Sequence, residues 1–128
     1  MIYRPSNPLG ILTFDTTDVF GKRIILEKDR FENHILNGHI ELTGNEEAIK
    51  DILKNPYMVL QSKQSETRYL YYGKSPKSTY SNLTIKTVVD HKYNDLGFVV
   101  TSMFQKQVTP EKEGKTIYVK EKTDTSEP

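Results

Sequence analysis

Two of the chain's three histidines, His34 and His39, fall within ten residues, "NHILNGHIEL", and the third, His91, lies in "VVDHKYND". An imidazole with an unperturbed pKa of about 6.5 can take and give a proton near neutrality. Metal-free cleavage of RNA asks for such a group to deprotonate the ribose 2′-hydroxyl. It also asks for a cation over the crowded phosphorane and an acid for the leaving oxygen. Arg68 suits the second role because its planar fork matches phosphate oxygens, and Thr101, Ser102 and Tyr72 offer hydroxyls. Each residue has a plainer reading. His34 could cover a helix face with its ring bonded to a backbone carbonyl. His39 could sit at a helix C-terminus, where a cation is favoured. Arg68 could pair across strands with Glu66, Thr101 could reflect strand propensity, and the tyrosines could be packing.

Other chemistries are less well marked. A helical metal pair uses a spacing of three or four, so that both rings share a face. His34 and His39 are five apart across a glycine, and adding His91 with Asp90 and Asp95 fixes no geometry. No metal and no cofactor are expected. With no cysteine, thiolate metal sites, disulfides and cysteine nucleophiles are excluded. "GKS" at 73–75 lacks the preceding glycine and following helix of a phosphate loop, and "NLT" at 82–84 matches a glycosylation acceptor only for a secreted chain.

The elements that must carry these residues follow from the pattern. "LGILTFD" and "KRIILE" read as short strands around "TTDVFG". A helix is expected from about Lys28, with Phe31 and Ile35 stacked and His34 close to their face. Asn37-Gly38 should end it, with glycine as the left-handed residue. A second helix has Thr43 or Asn45 as its cap, Glu46 and Glu47 in its first turn, and Ala48, Ile49, Ile52 and Leu53 as its buried stripe. Asn55-Pro56 stops it. From Tyr57 onward "YMVLQS", "TRYLYYG", "NLTIKTVVD" and "GFVVTSMFQ" read as strands, and "HKYNDL" as a turn. Short connections make these four an antiparallel meander. Helices before a sheet give an α+β class. Strand alternation places Arg68, Leu70 and Tyr72 on one face of their strand, and Phe98, Val100, Ser102 and Phe104 opposite Val99, Thr101 and Met103. On that reading Thr101 looks over an uncovered face, where Arg68 and Lys86 could join it.

Length suits one domain: 128 residues, 10% of them aromatic. The expected division is 1–108 as the α+β domain and 109–128 as an extra edge strand, "GKTIYVK", with a charged tail. Net charge is only +1, but three bases face seven acids between Glu27 and Asp51, and eight bases face three acids between Lys54 and Lys106. The basic half invites a polyanion. No apolar run approaches the roughly 18 residues of a membrane span, and the N-terminus lacks a signal-peptide pattern, so a cytoplasmic location without membrane contact is expected.

The order of "IILEKDRFENHILNGHIEL", "ILKNPYMVLQS", "RYLYYG" and "FVVTSMF" resembles the phage-associated branch of the barnase–EndoU–colicin–RelE superfamily of small nucleases, over roughly residues 22–105. The resemblance implies two N-terminal helices, after a short β-hairpin, packed on a four-stranded antiparallel meander sheet. It implies a toxin-like or mobile-element ribonuclease that works without a metal through a 2′,3′-cyclic phosphate. On that pattern His34, His39, Arg68 and Thr101 are the catalytic set; read as a ribonuclease, the chain would hold substrate with Tyr72, Lys86, Ser102 and Lys74. The expected partners are RNA, single-stranded or tRNA/mRNA, and a cognate inhibitor protein. The segment that often ends "TAY" in the superfamily reads "TSMF" here, which removes one hydroxyl. The alternative is a non-catalytic phage accessory module that binds nucleic acid or protein on the same scaffold.

Overall fold

A computed structural model describes residues 10–74, 83–93 and 96–120. The expectations that rest on Asn82, on Asp95 and on the tail 121–128 lie outside the described residues. Seven strands form one sheet: β1 (Leu12–Thr17), β2 (Arg23–Glu27), β3 (Met58–Ser62), β4 (Arg68–Lys74), β5 (Thr84–Tyr93), β6 (Leu96–Gln105) and β7 (Gly114–Val119). Their order across the sheet is β1-β2-β6-β5-β4-β3-β7. All neighbours are antiparallel except β2 and β6, which run parallel with Arg23 opposite Leu96 and Ile25 opposite Phe98.

This mixed seven-stranded sheet overturns the expected architecture of two helices on a four-stranded meander. The physical reason is non-local pairing. The β1–β2 hairpin joins the sheet through β6, and β7 joins through β3. Neither pairing leaves a local mark in the sequence, because a strand's partner is set by tertiary packing rather than by its own residues. The helical layer is correspondingly thin. A first helical segment, α1 (28–38), is irregular, with a π-helical centre at Phe31–Ile35 between single α turns. A 3₁₀ turn, Ile40–Leu42, follows. α2 (Glu46–Lys54) is the one described helix longer than two regular turns, and α3 (Pro110–Glu113) is a single turn before β7.

Gly38 does not end α1 in the left-handed region as expected. Among the described residues the positive φ values belong to Gly21 and Gly44, and the break after α1 falls at His39, φ −141° and ψ 65°. "HKYNDL" is likewise not all turn, since β5 runs on through Tyr93 and carries His91.

Alternation gives the sheet two unlike faces. On the helical face Ile24 and Leu26 of β2, Tyr71 of β4, Ile85 and Val89 of β5 and Val99 of β6 pack under Phe31, Ile35 and Leu42 and under Ala48, Ile49, Ile52 and Leu53 of α2. α2 seats against β4 at Gly73, where a Cβ would stand 2.4 Å from Ile52 Cγ1. The other, open face carries a smaller cluster, Leu60, Leu70, Tyr72, Val88 and Val100, capped at one end by Tyr57, Met58 and Val108. No described helix is long and apolar enough to cross a membrane.

Candidate functional site

The open face holds a groove of about 890 Å³ whose floor is built from three strands. β4 supplies Arg68 and Leu70, β5 supplies Lys86, Val88, Asp90 and Lys92, and β6 supplies Thr101 and Met103. Register puts Arg68 opposite Asp90, Leu70 opposite Val88, Val88 opposite Thr101, and Lys86 opposite Met103. The β3–β4 turn, with Lys63, and the end of α3, with Lys112 and Glu113, form the walls.

Thr101 lies in the groove with Met103, but the residues before it break the alternation. Val88 pairs with Thr101 but Val89 pairs with Val99, so Val100 is an extra residue in β6. This bulge turns both Val100 and Thr101 to the open face, Val100 into the apolar cluster and Thr101 into the groove. The carbonyl of Val100 accepts a hydrogen bond from Arg30 Nε at 2.7 Å. The expected division of β6 into two alternating sets is therefore corrected. Phe104 packs on the helical face with Val99, and Ser102 is buried, its Oγ 2.9 Å from Thr87 Oγ1 and donating to the carbonyl of Lys86.

Cations outnumber acids in the groove. Among the described residues that line it, Lys63, Arg68, Lys86, Lys92 and Lys112 face Asp90 and Glu113, a net charge of +3. Both acids are occupied. Asp90 Oδ2 lies 3.4 Å from Arg68 Nε, and Glu113 Oε1 lies 3.1 Å from Lys86 Nζ. The terminal nitrogens of Arg68 make no hydrogen bond to another described residue. Glu113 also accepts from the Tyr72 hydroxyl, from Gln105 Nε2 at 2.8 Å and from the Thr109 backbone N–H at 2.8 Å. Burial works against its charge, but the Thr109, Tyr72, Lys86 and Gln105 donors prevail and hold its pKa down to about 2. Burial and the Glu113 carboxylate together push the Tyr72 phenol upward.

The expected site residues thus divide. Arg68, Lys86 and Thr101 line one groove. Tyr72 is buried beneath its end, with its hydroxyl committed to Glu113, and has no face for a base. Ser102 is buried and Lys74 is exposed beside α2, lining a different hollow with Ile52 and Asn55. His34 and His39 stay on their own segment. His34 Nε2 is 3.7 Å from Asp29 Oδ2, and His39 Nδ1 is 3.5 Å from Glu41 Oε2. No histidine lines the groove.

His91 belongs to the helical face, in a chain that sequence reading missed. The Asp18 carboxylate accepts the backbone N–H groups of Phe20 and Lys22 at 2.9 and 2.8 Å on Oδ1, and the Tyr71 hydroxyl on Oδ2. With the phenol's single proton directed at Asp18, His91 Nε2, 3.0 Å from the Tyr71 oxygen, must donate. That leaves Nδ1 as the acceptor, but it lies against Gly97, where a Cβ would be 2.9 Å from the ring. Tyr69 covers the imidazole at 4.6 Å between centroids, and Lys22 Nζ stands 5.2 Å from the Tyr69 ring. Burial, then the Lys22 charge, lower the His91 pKa to about 4, against opposing pulls from Asp18 and Asp90. The ring is neutral at pH 7, and this chain ties the β1–β2 turn to β4 and β5. Asp18 carried one legible signal: an Asp before a Gly turn is a common turn anchor.

Among the described residues no three His, Asp or Glu side chains come together as a metal site. No protein-family model, curated protein or solved structure matches the chain.

Proposed function

We propose that the chain binds single-stranded nucleic acid along the open face of its sheet. The observation that carries this reading is the excess of five cationic side chains in one groove over two carboxylates that are already engaged. Phosphates would replace the counter-ions of Lys63, Lys92, Lys112 and the free edge of Arg68, and the apolar strip of Leu70, Val88 and Met103 would take ribose or base. The groove lies within the range of about 300–1,000 Å³ typical of ligand sites, which suits a few nucleotides rather than a duplex.

Cleavage to a 2′,3′-cyclic phosphate is the second reading. Arg68, Thr101 and Lys86 lining one groove supports it. It also needs an acid–base group there, and the imidazoles stand elsewhere.

One experiment addresses both. A fluorescent single-stranded RNA is titrated with protein in EDTA at several salt concentrations, and the RNA is then run on a gel. The binding reading expects log affinity to fall linearly with log salt, full-length RNA at the end, and about tenfold weaker binding with a shallower slope for Arg68→Ala. Salt-independent binding, or none, overturns it. Cyclic-phosphate fragments lost in Arg68→Ala would move the second reading to first place.

A further inference from the structure

The far half of β6 has two ways to pair with β5. In the register observed, the extra residue Val100 sets Thr101 opposite Val88, Ser102 opposite Thr87, Met103 opposite Lys86 and Phe104 opposite Ile85. Without it, the register of Val89 with Val99 would run on. Thr101 would then lie opposite Thr87 and Met103 opposite Ile85, both turned to the helical face, and Ser102 would lie opposite Lys86 on the groove side. Both arrangements bury much the same chemistry, a hydroxyl beside Thr87 and a large apolar side chain beside Ile85. The residues of β6 therefore discriminate weakly between them. Yet the choice decides whether Thr101 and Met103, or Ser102 and Phe104, face the groove.

The choice is made from outside the strand. β2 pairs with β6 only as far as Phe98, so it does not hold Val100. Val100 is buried, and a bulge leaves its extra residue out of the ladder. A buried carbonyl without a donor is costly. Arg30, the residue before the π-helical centre of α1, supplies that donor, its Nε 2.7 Å from the Val100 carbonyl oxygen. Arg30 itself is not among the residues that line the groove.

Resting on the reading of this groove as a nucleic-acid site, we propose that Arg30 is a positioning residue, which pins the β6 bulge and so presents Thr101 and Met103 to the bound strand. Thr101 offers a hydroxyl to ribose or phosphate and Met103 a soft apolar surface to a base, while Arg30 makes no contact with the strand.

The chain has no cysteine, so single introduced cysteines report the register directly. In the otherwise intact chain, Thr101→Cys should react with a thiol reagent at least about tenfold faster than Ser102→Cys, whose position is fully buried. Adding Arg30→Met, which keeps an apolar stem and removes the donor, should erase or reverse that difference. Without added cysteines, Arg30→Met should bind single-stranded RNA about tenfold more weakly, with the wild-type salt slope, because no phosphate contact is lost. Thr101→Val should cost nothing further in that background. If Arg30→Met does not fold, Arg30→Lys is read instead: slower labelling at Thr101→Cys and faster labelling at Ser102→Cys support the proposal, and unchanged rates overturn it. Labelling that Arg30→Met leaves unchanged also overturns it, as does a shallower salt slope, which would make Arg30 a phosphate contact. Both outcomes leave the groove reading intact. If labelling shifts as expected but RNA shows no salt-dependent binding, the groove reading fails and the role in binding falls with it.

Discussion

On the helical face, the Asp18 carboxylate is 6% exposed and is met by three donors, and the imidazole at the far end of its chain is neutral. On the open face, Lys63, Lys92 and Lys112 are exposed, and Arg68 has one edge of its guanidinium without a partner. The same sheet therefore carries one polar set whose carboxylate is met by backbone and phenol donors and one whose charges are left in excess. A hydrogen-bonded network that joins a turn to two strands holds a structure together, whereas unneutralised cations around a cleft attract a ligand. The difference assigns stability to the Asp18–Tyr71–His91 chain and binding to the Arg68 groove. It can be broken by a loss of binding when the Asp18–Tyr71–His91 chain is cut.

The largest expected effect is on stability as the pH falls. His91 has a pKa of about 4 in the folded chain and 6.5 as its ordinary value, so the unfolded chain takes up the proton first. Stability from the neutral ring is complete above pH 6.5 and is lost progressively as the pH falls to 4, by about 3 kcal/mol in all. Below that this group adds no further loss. Urea unfolding at steps between pH 7 and pH 4 measures the slope. His91→Gln, whose amide can still donate to Tyr71, should flatten it. The Glu113 carboxylate acts in a lower window. With its pKa depressed to about 2 from 4.5, the stability it adds above 4.5 is lost as the pH falls between those values. A His91→Gln variant that keeps the steep slope above pH 4.5 would remove His91 from the comparison.

Next in size is Tyr71→Phe. It leaves the ring in the core and deletes the one atom that joins Asp18 to His91. A buried carboxylate and an imidazole N–H would each lose a partner, at a cost of about 2 kcal/mol. Urea unfolding at pH 7 reads the loss, and RNA titration should show unchanged affinity once the protein is folded. If affinity falls as much as stability, the two faces are not separable.

How much of this was legible depends on how local each feature is. α2 was legible because its acidic first turn, its stripe of Ala48, Ile49, Ile52 and Leu53 and its stop at Asn55-Pro56 all lie within a dozen residues. The faces of β4 and β5 followed from alternation. β6 did not, because a bulge at Val100 breaks the period of two and nothing in "FVVTSMF" marks it. The partners of β2 and β7 were hidden for the same reason that all distant pairings are. Glu113 lay in a stretch set apart as an edge strand and tail, although Thr109-Pro110 is a recognisable helix start. It reaches Tyr72 and Lys86 only because β7 docks beside β3. His34 and His39 drew attention by residue type alone, and the structure gives each a nearby carboxylate on its own segment.

The smallest expected effects are at those two histidines, and they sharpen the comparison most. His34 has 49% of its side chain exposed and His39 has 32%, and each faces a single carboxylate at 3.5 Å or more. Exposed pairs of this kind contribute little, so His34→Ala and His39→Ala should each shift unfolding free energy by less than about 0.5 kcal/mol. Neither lines the groove, so RNA affinity at fixed salt should also be unchanged. Parallel titrations of the two variants and Arg68→Ala rank the three residues directly. A loss at either histidine comparable to that at Arg68 would mean that bound RNA spans α1 as well as the groove. The division of labour between the two faces would then have to be redrawn around the strand's path.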